Sequence, residues 1–373
     1  MTALPSRALI SRSAFEHNLG VVRAKTDSKI MAIIKADGYG HGAVRIAQWA
    51  WEDGVEWLGL AQLSEGVWLR RQHPHGRVFS WIYSPGTDFV TPIELGMDIS
   101  IGADWAIDEI AAAAREVGQP VRVHIKVDTG MARGGFDLDR LPEVLPRFKA
   151  LADEGIFELV GLWSHLACGD MPSTSNYTEV QVAKFEQARM AVRDAGITVQ
   201  LHHLAASSGV MWHPQTHYDM VRPGIMLYGL SPNPAEAYAH ELGLRAVMQV
   251  EADLILARDV PAGTGVTYGH TYVTDKPTRL AVVPVGYADG IIRSSSNKAT
   301  VTHRGRRAPI RGVVCMDQFV IEAPGAQAGD TVVLFGDAND GHETAERWAE
   351  IAGSIDFEIV CKIGERIPRI SVD

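Results

Sequence analysis

The chain has 373 residues, of which 46% are hydrophobic and 21% are charged, with a formal net charge of -10. This length predicts two domains or one barrel with an added domain, and the acidic balance without a basic stripe argues against a nucleic-acid partner. No uncharged apolar run approaches membrane-spanning length, and the three widely spaced cysteines and the N-terminus without a basic-then-apolar segment predict a cytoplasmic protein.

Apolar runs of strand length alternate with helical patterns over the first part of the chain. Eight runs are predicted as strands: 30–34, 57–61, 78–83, 99–101, 121–127, 159–165, 199–204 and 220–222. Amphipathic patterns predict helices over 13–25, 42–52, 62–72, 104–117, 138–153 and 177–194, with shorter ones near 86–96 and 207–215. This alternation is typical of a closed parallel (β/α)8 barrel of the TIM type. An open doubly wound sheet is disfavoured, because no Gly-x-Gly-x-x-Gly follows a strand and opens a helix.

The pattern changes from about residue 241. Short β-rich segments follow one another without intervening helices, separated by Gly, Pro and Asp turns, and a single helix is predicted near 343–353. Strands without crossover helices favour a mainly antiparallel β domain. We therefore expect a (β/α)8 barrel over 10–235 and a C-terminal β domain over 236–373, which the N-terminal strand, 1–9, is expected to join.

A lysine, Lys35, ends the first predicted strand and precedes a glycine-rich turn, 36–42. Burying a lone ammonium is costly, so such a lysine is expected to form an ion pair or to lose its charge. A neutral lysine is a nucleophile that can form a Schiff base with an aldehyde. A lysine that extends to solvent before an ordinary turn explains this segment alone equally well.

Polar residues also follow later strands of the predicted barrel. Arg133 follows the fifth strand and His165 ends the sixth, although a lone arginine is often a salt-bridge residue and a lone histidine a core residue. Ser207 follows the seventh strand, and Gly224 and Ile225 follow the eighth, where this fold commonly holds phosphate. A phosphate site together with a Schiff-base lysine predicts pyridoxal phosphate as the cofactor.

Six motifs resemble those of the alanine racemase family, in both domains and in the family's order. They lie at 35–42 (KADGYGHG), 126–133 (KVDTGMAR), 222–229 (RPGIMLYG), 267–269 (TYG), 284–290 (PVGYADG) and 315–318 (CMDQ). The resemblance implies a pyridoxal-phosphate-dependent isomerase that interconverts L-alanine and D-alanine and supplies D-alanine for peptidoglycan. It also implies a homodimer whose active sites are shared between subunits.

The resemblance assigns roles to individual residues. It implies that Lys35 carries the Schiff base and that the remaining cofactor-binding residues are Tyr39, His165, Ser207, Arg222, Gly224 and Ile225. Within that set Arg222 faces the pyridine nitrogen. The substrate-binding residues are Arg133 and the backbone of Met316, with Tyr287 narrowing the entrance, and the supporting residues are Lys126 and Asp317.

Racemisation requires a proton to leave one face of the α-carbon and another to arrive on the opposite face. Two acid–base groups on opposite faces are the simpler design. Lys35 can serve one face, and by resemblance Tyr268 of a second subunit serves the other. A phenol is a weak base at neutral pH, so we expect nearby cations, Arg133 and His165, to favour its phenolate. Arg222 keeps its proton and leaves the ring nitrogen unprotonated, which is expected to limit transamination.

Several alternatives stay open at this point. A broad-specificity racemase, a barrel-type decarboxylase and a non-catalytic pyridoxal-phosphate carrier share parts of the pattern. A zinc hydrolase would use His202, His203, His213 and His217 as metal ligands. It is disfavoured because His202 and His203 are adjacent on a predicted strand and therefore point to opposite faces.

Three positions complicate the resemblance. Ala206 stands where many relatives have asparagine, and Glu365 stands where some have a phosphate-binding tyrosine. The lysine that matches Lys126 is carbamylated in some relatives, but a Lys126–Asp128 surface pair explains this residue equally well.

Overall fold

The computed structural model describes residues 5–73, 75–173 and 175–373. These divide into two compact units. The barrel unit comprises residues 20–38 and 43–224, and the sheet unit comprises the N-terminal residues up to Leu19 together with 39–42 and 225–373. Such units are groups of residues in mutual contact, whereas the predicted domains are continuous stretches of chain. The division at residue 235 therefore stays a prediction.

Eight parallel strands form the centre of the barrel unit. In chain order they are Lys29–Ile33, Trp57–Gln62, Arg77–Ile82, Asp98–Ile101, Val121–Lys126, Phe157–Trp163, Leu201–His203 and Met220–Val221. The eighth strand pairs with the first, Lys29 with Met220, and the backbone of Arg222 donates to the carbonyl of Ala205 at 2.9 Å. The ring of strands is thereby closed, and the predicted barrel is confirmed.

Helices follow the strands as the amphipathic patterns predict. They are Arg12–Arg23, Ala43–Glu52, Leu63–Gln72, Val90–Glu94, Asp104–Val117, Leu141–Asp153, Tyr177–Asp194 and Ser207–Trp212, with 3-10 turns at Leu138–Arg140 and Pro214–Thr216. The helix Asp104–Val117 buries Ile107, Ile110 and Ala114, which lie on one face at spacings of three and four. It ends at Gly118, whose φ of 70° permits the left-handed cap.

The sheet unit is built on nine strands. Their order across the sheet is Leu256–Val260, Thr278–Val283, Phe319–Glu322, Arg306–Arg311, Thr300–His303, Thr331–Phe335, Met248–Asp253, Ser6–Ser11 and Arg369–Val372. Every pairing is antiparallel except that of Ser6–Ser11 with Arg369–Val372. A separate two-stranded ribbon pairs Gly265–Val266 with Tyr272–Val273.

The helical segments of the sheet unit are short. The predicted late helix is Ala345–Ala352, and a second helix that the sequence pattern did not predict spans Asp356–Cys361. Short 3-10 turns lie at Ile225–Tyr228, Tyr268–His270, Tyr287–Asp289, Arg293–Ser295 and Ala338–Asp340. Across the described part of the chain, no helix combines the length and the apolar character needed to cross a membrane.

Candidate active site

The lysine at the end of the first barrel strand is followed by a left-handed turn. Ala36 and Asp37 both have a φ of 53°, which costs a non-glycine residue about 1–2 kcal/mol. Long-range contacts hold this turn: the amide of Ala36 donates to Glu65 Oε1 at 2.8 Å, and Asp37 Oδ1 accepts from the amide of Ala43 at 2.7 Å. Backbone strain that surrounding contacts maintain is typical of functional sites. Here the strained turn sets the direction of the backbone immediately after Lys35.

Arg222 lies just after the eighth strand and is only 4% exposed. Its Nη2 donates to the carbonyl oxygens of Ser164 at 2.8 Å and Leu204 at 3.0 Å. Two imidazoles complete the shell, with His203 Nδ1 at 3.1 Å from Nη1 and His165 Nδ1 at 3.3 Å from Nη2. Burial lowers the pKa of Arg222 to about 9, so the guanidinium keeps its charge at neutral pH. The site therefore contains a fixed cation, and none of the described residues places a carboxylate among its hydrogen-bond partners.

His165 is electrically neutral in this environment. Burial lowers its pKa well below the ordinary value, and the charges of Arg222, Arg133, Lys35 and Lys126 lower it further. The expectation that His165 acts as a cation beside the catalytic phenol is therefore wrong, because burial and these four neighbouring cations oppose its protonation. Sequence spacing reveals that a histidine ends a strand region but not which charges surround it.

The cations near His165 also affect the pKa of Lys126. Burial, and next the charge of Arg133, lower the pKa of Lys126 to about 8. Its Nζ lies 4.8 Å from the centre of the Trp163 ring. The Asp128 carboxylate instead accepts hydrogen bonds from backbone amides within 130–133. Among the described residues no salt bridge joins Lys126 to Asp128, and the charge of Asp128 raises the pKa of Lys126 against the larger effects of burial and Arg133.

The guanidinium of Arg133 is exposed at the end of this same turn. Its backbone amide donates to Asp128 Oδ2 at 3.2 Å, which fixes the base of the side chain. No carboxylate of the described residues forms a salt bridge with it. An arginine that is anchored through its backbone in this way presents a fork of donors to a soluble carboxylate.

A hydroxyl and a backbone amide meet at the ends of the seventh and eighth strands. Ser207 begins the helix Ser207–Trp212, and its Oγ accepts from the amide of Gly224 at 2.9 Å. A backbone bridge between Ala206 and Arg222 ties the two strand ends together. These residues fit pyridoxal phosphate: the Ser207 hydroxyl, held by the Gly224 amide, suits its phosphate, the guanidinium of Arg222 suits its ring nitrogen and Lys35 supplies the amine.

Two further predicted phosphate contacts lie in the sheet unit. Tyr39 is buried, which raises the pKa of its phenol, and its ring lies 4.7 Å from that of Tyr228. Ile225 begins the 3-10 turn Ile225–Tyr228. Burial therefore keeps the Tyr39 phenol protonated, and the aromatic contact packs its ring against Tyr228.

The predicted catalytic tyrosine of the sheet unit projects into solvent. Tyr268 is 75% exposed and lies in a 3-10 turn that follows Thr267, whose φ is 55°. Thr267 Oγ1 accepts from the amide of Val313 at 2.6 Å and thereby holds this unusual backbone. A Cβ at Gly312 would come within 2.3 Å of the same hydroxyl, so the turn fits closely against its neighbour. The tyrosine is presented outward by a well-held turn.

The predicted substrate-binding backbone lies in a second tight contact of the sheet unit. Met316 is 53% exposed, and its carbonyl accepts from the amide of Ala288 at 2.9 Å. A Cβ at Gly286 would lie 2.3 Å from that carbonyl oxygen. No residue that the structure describes accepts a hydrogen bond from the Met316 amide. The amide is therefore open to a ligand, next to the partly exposed Tyr287.

An arginine that the sequence analysis did not single out supports this loop. Arg366 lies 3.1 Å from Asp289 Oδ1 and 2.8 Å from Asp317 Oδ1. Asp317 is therefore held by an ion pair with Arg366. The neighbouring Glu365 is exposed. No motif marks Arg366, because its partners lie far away along the chain.

The four histidines of the alternative zinc site have separate contacts. His202 Nδ1 lies 2.8 Å from Asp219 Oδ2, whereas His203 is fully buried within the barrel. His213 Nε2 lies 3.0 Å from the carbonyl of Gly169, and His217 Nε2 lies 3.3 Å from that of Gly209. No group of His, Cys, Asp or Glu side chains in 5–73, 75–173 and 175–373 could hold a metal ion.

Known proteins match the chain in both sequence and structure. Residues 10–232 match the family described as alanine racemase, N-terminal domain, and residues 247–371 match the alanine racemase, C-terminal domain. The chain is 43% identical over 372 residues to the alanine racemase of Beutenbergia cavernae, covering 99% of this chain and 98% of that protein.

Two solved structures support the same relationship. Alanine racemase from Streptomyces lavendulae is 40% identical with a TM-score of 0.97, covering 100% of this chain and 98% of that one. Alanine racemase from Bartonella henselae with covalently bound pyridoxal phosphate is 27% identical with a TM-score of 0.88, covering 99% and 100%. The chain therefore belongs to the alanine racemase family of pyridoxal-phosphate-dependent isomerases, which confirms the predicted fold, activity and cofactor.

Proposed function

We propose that this alanine racemase uses two acid–base groups from different subunits, Lys35 of one chain and Tyr268 of a second copy. The observation that carries the proposal is the outward presentation of Tyr268, which is 75% exposed on a turn held by Thr267. An exposed aromatic side chain on a strained turn is unusual for a residue that serves only its own unit. If Tyr268 completes the active site of a second subunit, the exposure of its side chain is explained.

The cofactor would be held by residues whose chemistry suits each of its parts. Ser207 and Gly224, with Ile225 and Tyr39, would hold the phosphate, and Arg222 would donate to the ring nitrogen. When bound, pyridoxal phosphate withdraws electrons from the α-carbon of the substrate and makes its proton removable. Arg222 cannot readily give up its proton to that nitrogen, since the pKa of its guanidinium is about 9. This restrains the reaction to proton exchange.

The proton on one face of the α-carbon is handled by the amine of Lys35, and on the other face by the phenol of the partner subunit's Tyr268. His165 accepts at Nδ1 from Arg222, so as a neutral imidazole it carries its proton on Nε2. That N–H can donate to a phenolate oxygen. Arg133 and Lys126 supply the positive potential that favours the phenolate, in place of a charged histidine.

The carboxylate of alanine would be bound by the guanidinium of Arg133 and the amide of Met316. Both are open to an anion: Arg133 has no salt-bridge partner among the described carboxylates, and the Met316 amide has no acceptor there. Asp317, held by Arg366, supports the Met316 loop. Tyr287, partly exposed, would narrow the entrance and favour a substrate with a small side chain.

The dimer and the shared site are tested together by mixing two inactive variants. A Lys35→Ala chain and a Tyr268→Phe chain each lose both functional sites in their own homodimers. Half of the dimers formed after unfolding and refolding a mixture are heterodimers, and one site of each contains both native groups. We expect about one quarter of the wild-type activity to return. If each tyrosine serves its own chain, no activity returns.

The assignment to opposite faces is tested with Tyr268→Phe alone in deuterated water. We expect racemisation to fall by roughly 10²–10⁴-fold, which is the typical contribution of a general acid–base group. Exchange of the α-hydrogen should persist for the one enantiomer whose proton faces Lys35. Tyr272→Phe, in the same ribbon, is the matched control and should remain active. A Tyr268→Phe variant that racemises both enantiomers at the wild-type rate contradicts the two-base scheme.

The cellular role that we propose is the supply of D-alanine for peptidoglycan. A decarboxylase is disfavoured by the shell of Arg222, which contains imidazoles and carbonyl oxygens, because that enzyme class pairs the ring nitrogen with a carboxylate. With L-alanine in deuterated water, racemisation yields D-alanine with deuterium at the α-carbon, whereas decarboxylation yields ethylamine. Restored growth of a bacterium that requires added D-alanine would support the cellular role.

A further inference from the structure

A chain of buried polar side chains runs through the interior of the barrel and ends at Arg222. His203 Nδ1 lies 3.1 Å from Arg222 Nη1, and His203 Nε2 lies 2.9 Å from His124 Nδ1. His124 Nε2 lies 3.2 Å from Asp98 Oδ2, and Asp98 Oδ1 accepts from Arg122 Nε at 2.7 Å. The side chains of His203, His124 and Asp98 have no exposed surface.

The chemistry of its two ends gives this chain one direction. Arg222 has donors only, so His203 Nδ1 must accept and the proton of a neutral His203 must sit on Nε2. That N–H then donates to His124 Nδ1, which leaves the proton of His124 on Nε2. The Asp98 carboxylate can only accept, so the proton on His124 Nε2 points to it. Both ends therefore demand the same pair of tautomers.

The surroundings keep both imidazoles neutral. Burial lowers the pKa of His203 well below its ordinary value, and the charge of Arg222 lowers it further. Burial also lowers the pKa of His124, against the opposing effect of Asp98. Burial alone would raise the pKa of Asp98, but His124 and Arg122 lower it, so the acceptor stays ionised. Each histidine has one proton, and its place is decided by its neighbours.

Aromatic packing fixes the ring planes along this route. The ring of Trp163 lies parallel to that of His203, with centroids 5.7 Å apart and planes at 1°. The ring of Phe79 lies 4.6 Å from that of His124. Neither imidazole can turn over to exchange its two nitrogens without displacing packed side chains. With both ring planes fixed, this hydrogen-bonded series can still change in which nitrogen of each ring carries the proton.

We propose that Asp98 and His124 are positioning residues, which hold His203 in the tautomer that accepts from Arg222 and so fix the guanidinium where it meets the ring nitrogen of the cofactor. The inference rests on the proposed role of Arg222 at that nitrogen. Asp98 lies on the fourth strand and acts through two other side chains. It sets the direction of the hydrogen-bond chain without touching cofactor or substrate.

The tautomers can be measured in the wild-type enzyme without any assay of activity. We expect nitrogen NMR of protein with 15N-labelled histidine rings to show a protonated Nε2 and an unprotonated Nδ1 for both His203 and His124. Neither signal should titrate between about pH 5 and about pH 8, where an ordinary histidine changes charge. Single His→Gln variants assign the two signals. A charged ring, or a proton on Nδ1 of either histidine, overturns the proposal.

The variant Asp98→Asn should reverse the chain. Arg122 still requires an acceptor, so the amide oxygen of the new side chain faces Arg122 and its NH2 group faces His124. His124 must then accept at Nε2 and donate from Nδ1, which moves the proton of His203 to Nδ1, opposite a donor of Arg222. We expect the NMR signals of both histidines to exchange character. Racemisation should fall on the order of tenfold or more, and the share of transamination should rise.

Arg122→Gln is the matched control, because it breaks the same ion pair with Asp98 and leaves the carboxylate in place. We expect the tautomers to stay as in the wild type and racemisation to stay within about threefold, although both variants lose thermal stability. Equal losses of activity in both variants with unchanged histidine signals would reduce Asp98 to a structural residue and overturn the proposal. If Asp98→Asn does not fold, the wild-type spectrum still decides. A different result would count against the role of Arg222 at the ring nitrogen. In that case the histidine signals exchange in Asp98→Asn as expected, but the rates of racemisation and transamination stay as in the wild type.

Discussion

The buried carboxyl of Asp356 makes the stability of the sheet unit depend on pH. Asp356 is 1% exposed, and its Oδ2 has no hydrogen-bond partner among the residues that the structure describes. Burial, and next the charge of the buried Glu346, raise the pKa of Asp356 from 3.8 to about 7. The amide of Phe357 donates to Asp356 Oδ1 at 3.0 Å and favours the ionised form, but its effect is smaller than those of burial and Glu346. The folded state therefore disfavours the carboxylate.

The magnitude follows from the difference between the folded and unfolded pKa. The folded chain keeps the proton of Asp356 up to about pH 7, whereas the unfolded chain loses it near pH 3.8. Stability is therefore full below pH 3.8, falls as the pH rises through this window, and is lowest above about pH 7. The shift from 3.8 to about 7 is about three units, and at about 1.4 kcal/mol per unit it costs about 4 kcal/mol.

Asp356→Asn removes the titration and keeps the acceptor for the Phe357 amide. We expect the variant to be more stable than the wild type by up to about 4 kcal/mol near pH 8 and equal to it near pH 4. Urea unfolding at a fixed protein concentration at each pH measures the difference. The exposed Asp340→Asn is the control and should stay within about 0.5 kcal/mol of the wild type. A variant that is no more stable than the wild type at pH 8 refutes the reasoning.

Three further predictions concern the active site. Gly286→Ala places a Cβ 2.3 Å from the Met316 carbonyl oxygen, so steady-state kinetics should show a raised KM for alanine, and stability should fall by about 1–3 kcal/mol; an unchanged KM contradicts this. Lys126 has a pKa of about 8, so above that pH its neutral amine should attack CO2 and release a proton to form a carbamate. The carbamate should be visible by NMR with 13C-bicarbonate and should be absent in Lys126→Gln. Arg222→Glu should lower racemisation and add transamination, measured as pyruvate formed from alanine; faster racemisation without pyruvate refutes the role of Arg222.

Local sequence patterns determined the architecture. All eight predicted barrel strands are present, with ends that move by only a few residues, because a buried parallel strand is a continuous apolar run bounded by turn residues. The amphipathic helices follow from spacing in the same way, and Gly118 marks one helix end by its freedom to adopt positive φ. The family motifs added the roles of Lys35 and Tyr268, which strand and helix patterns do not carry.

Only the tertiary structure decided the conformation and charge of the individual groups. The left-handed conformation of Ala36 depends on Glu65, and the neutral state of His165 depends on burial and on cations from other strands. His124 and His203 meet across 79 residues of sequence, and nothing in the local pattern of either one predicts a contact. Sequence periodicity records which side of an element is buried. The proton carried by a buried imidazole is instead set by whichever donors and acceptors the closed barrel brings within hydrogen-bond distance.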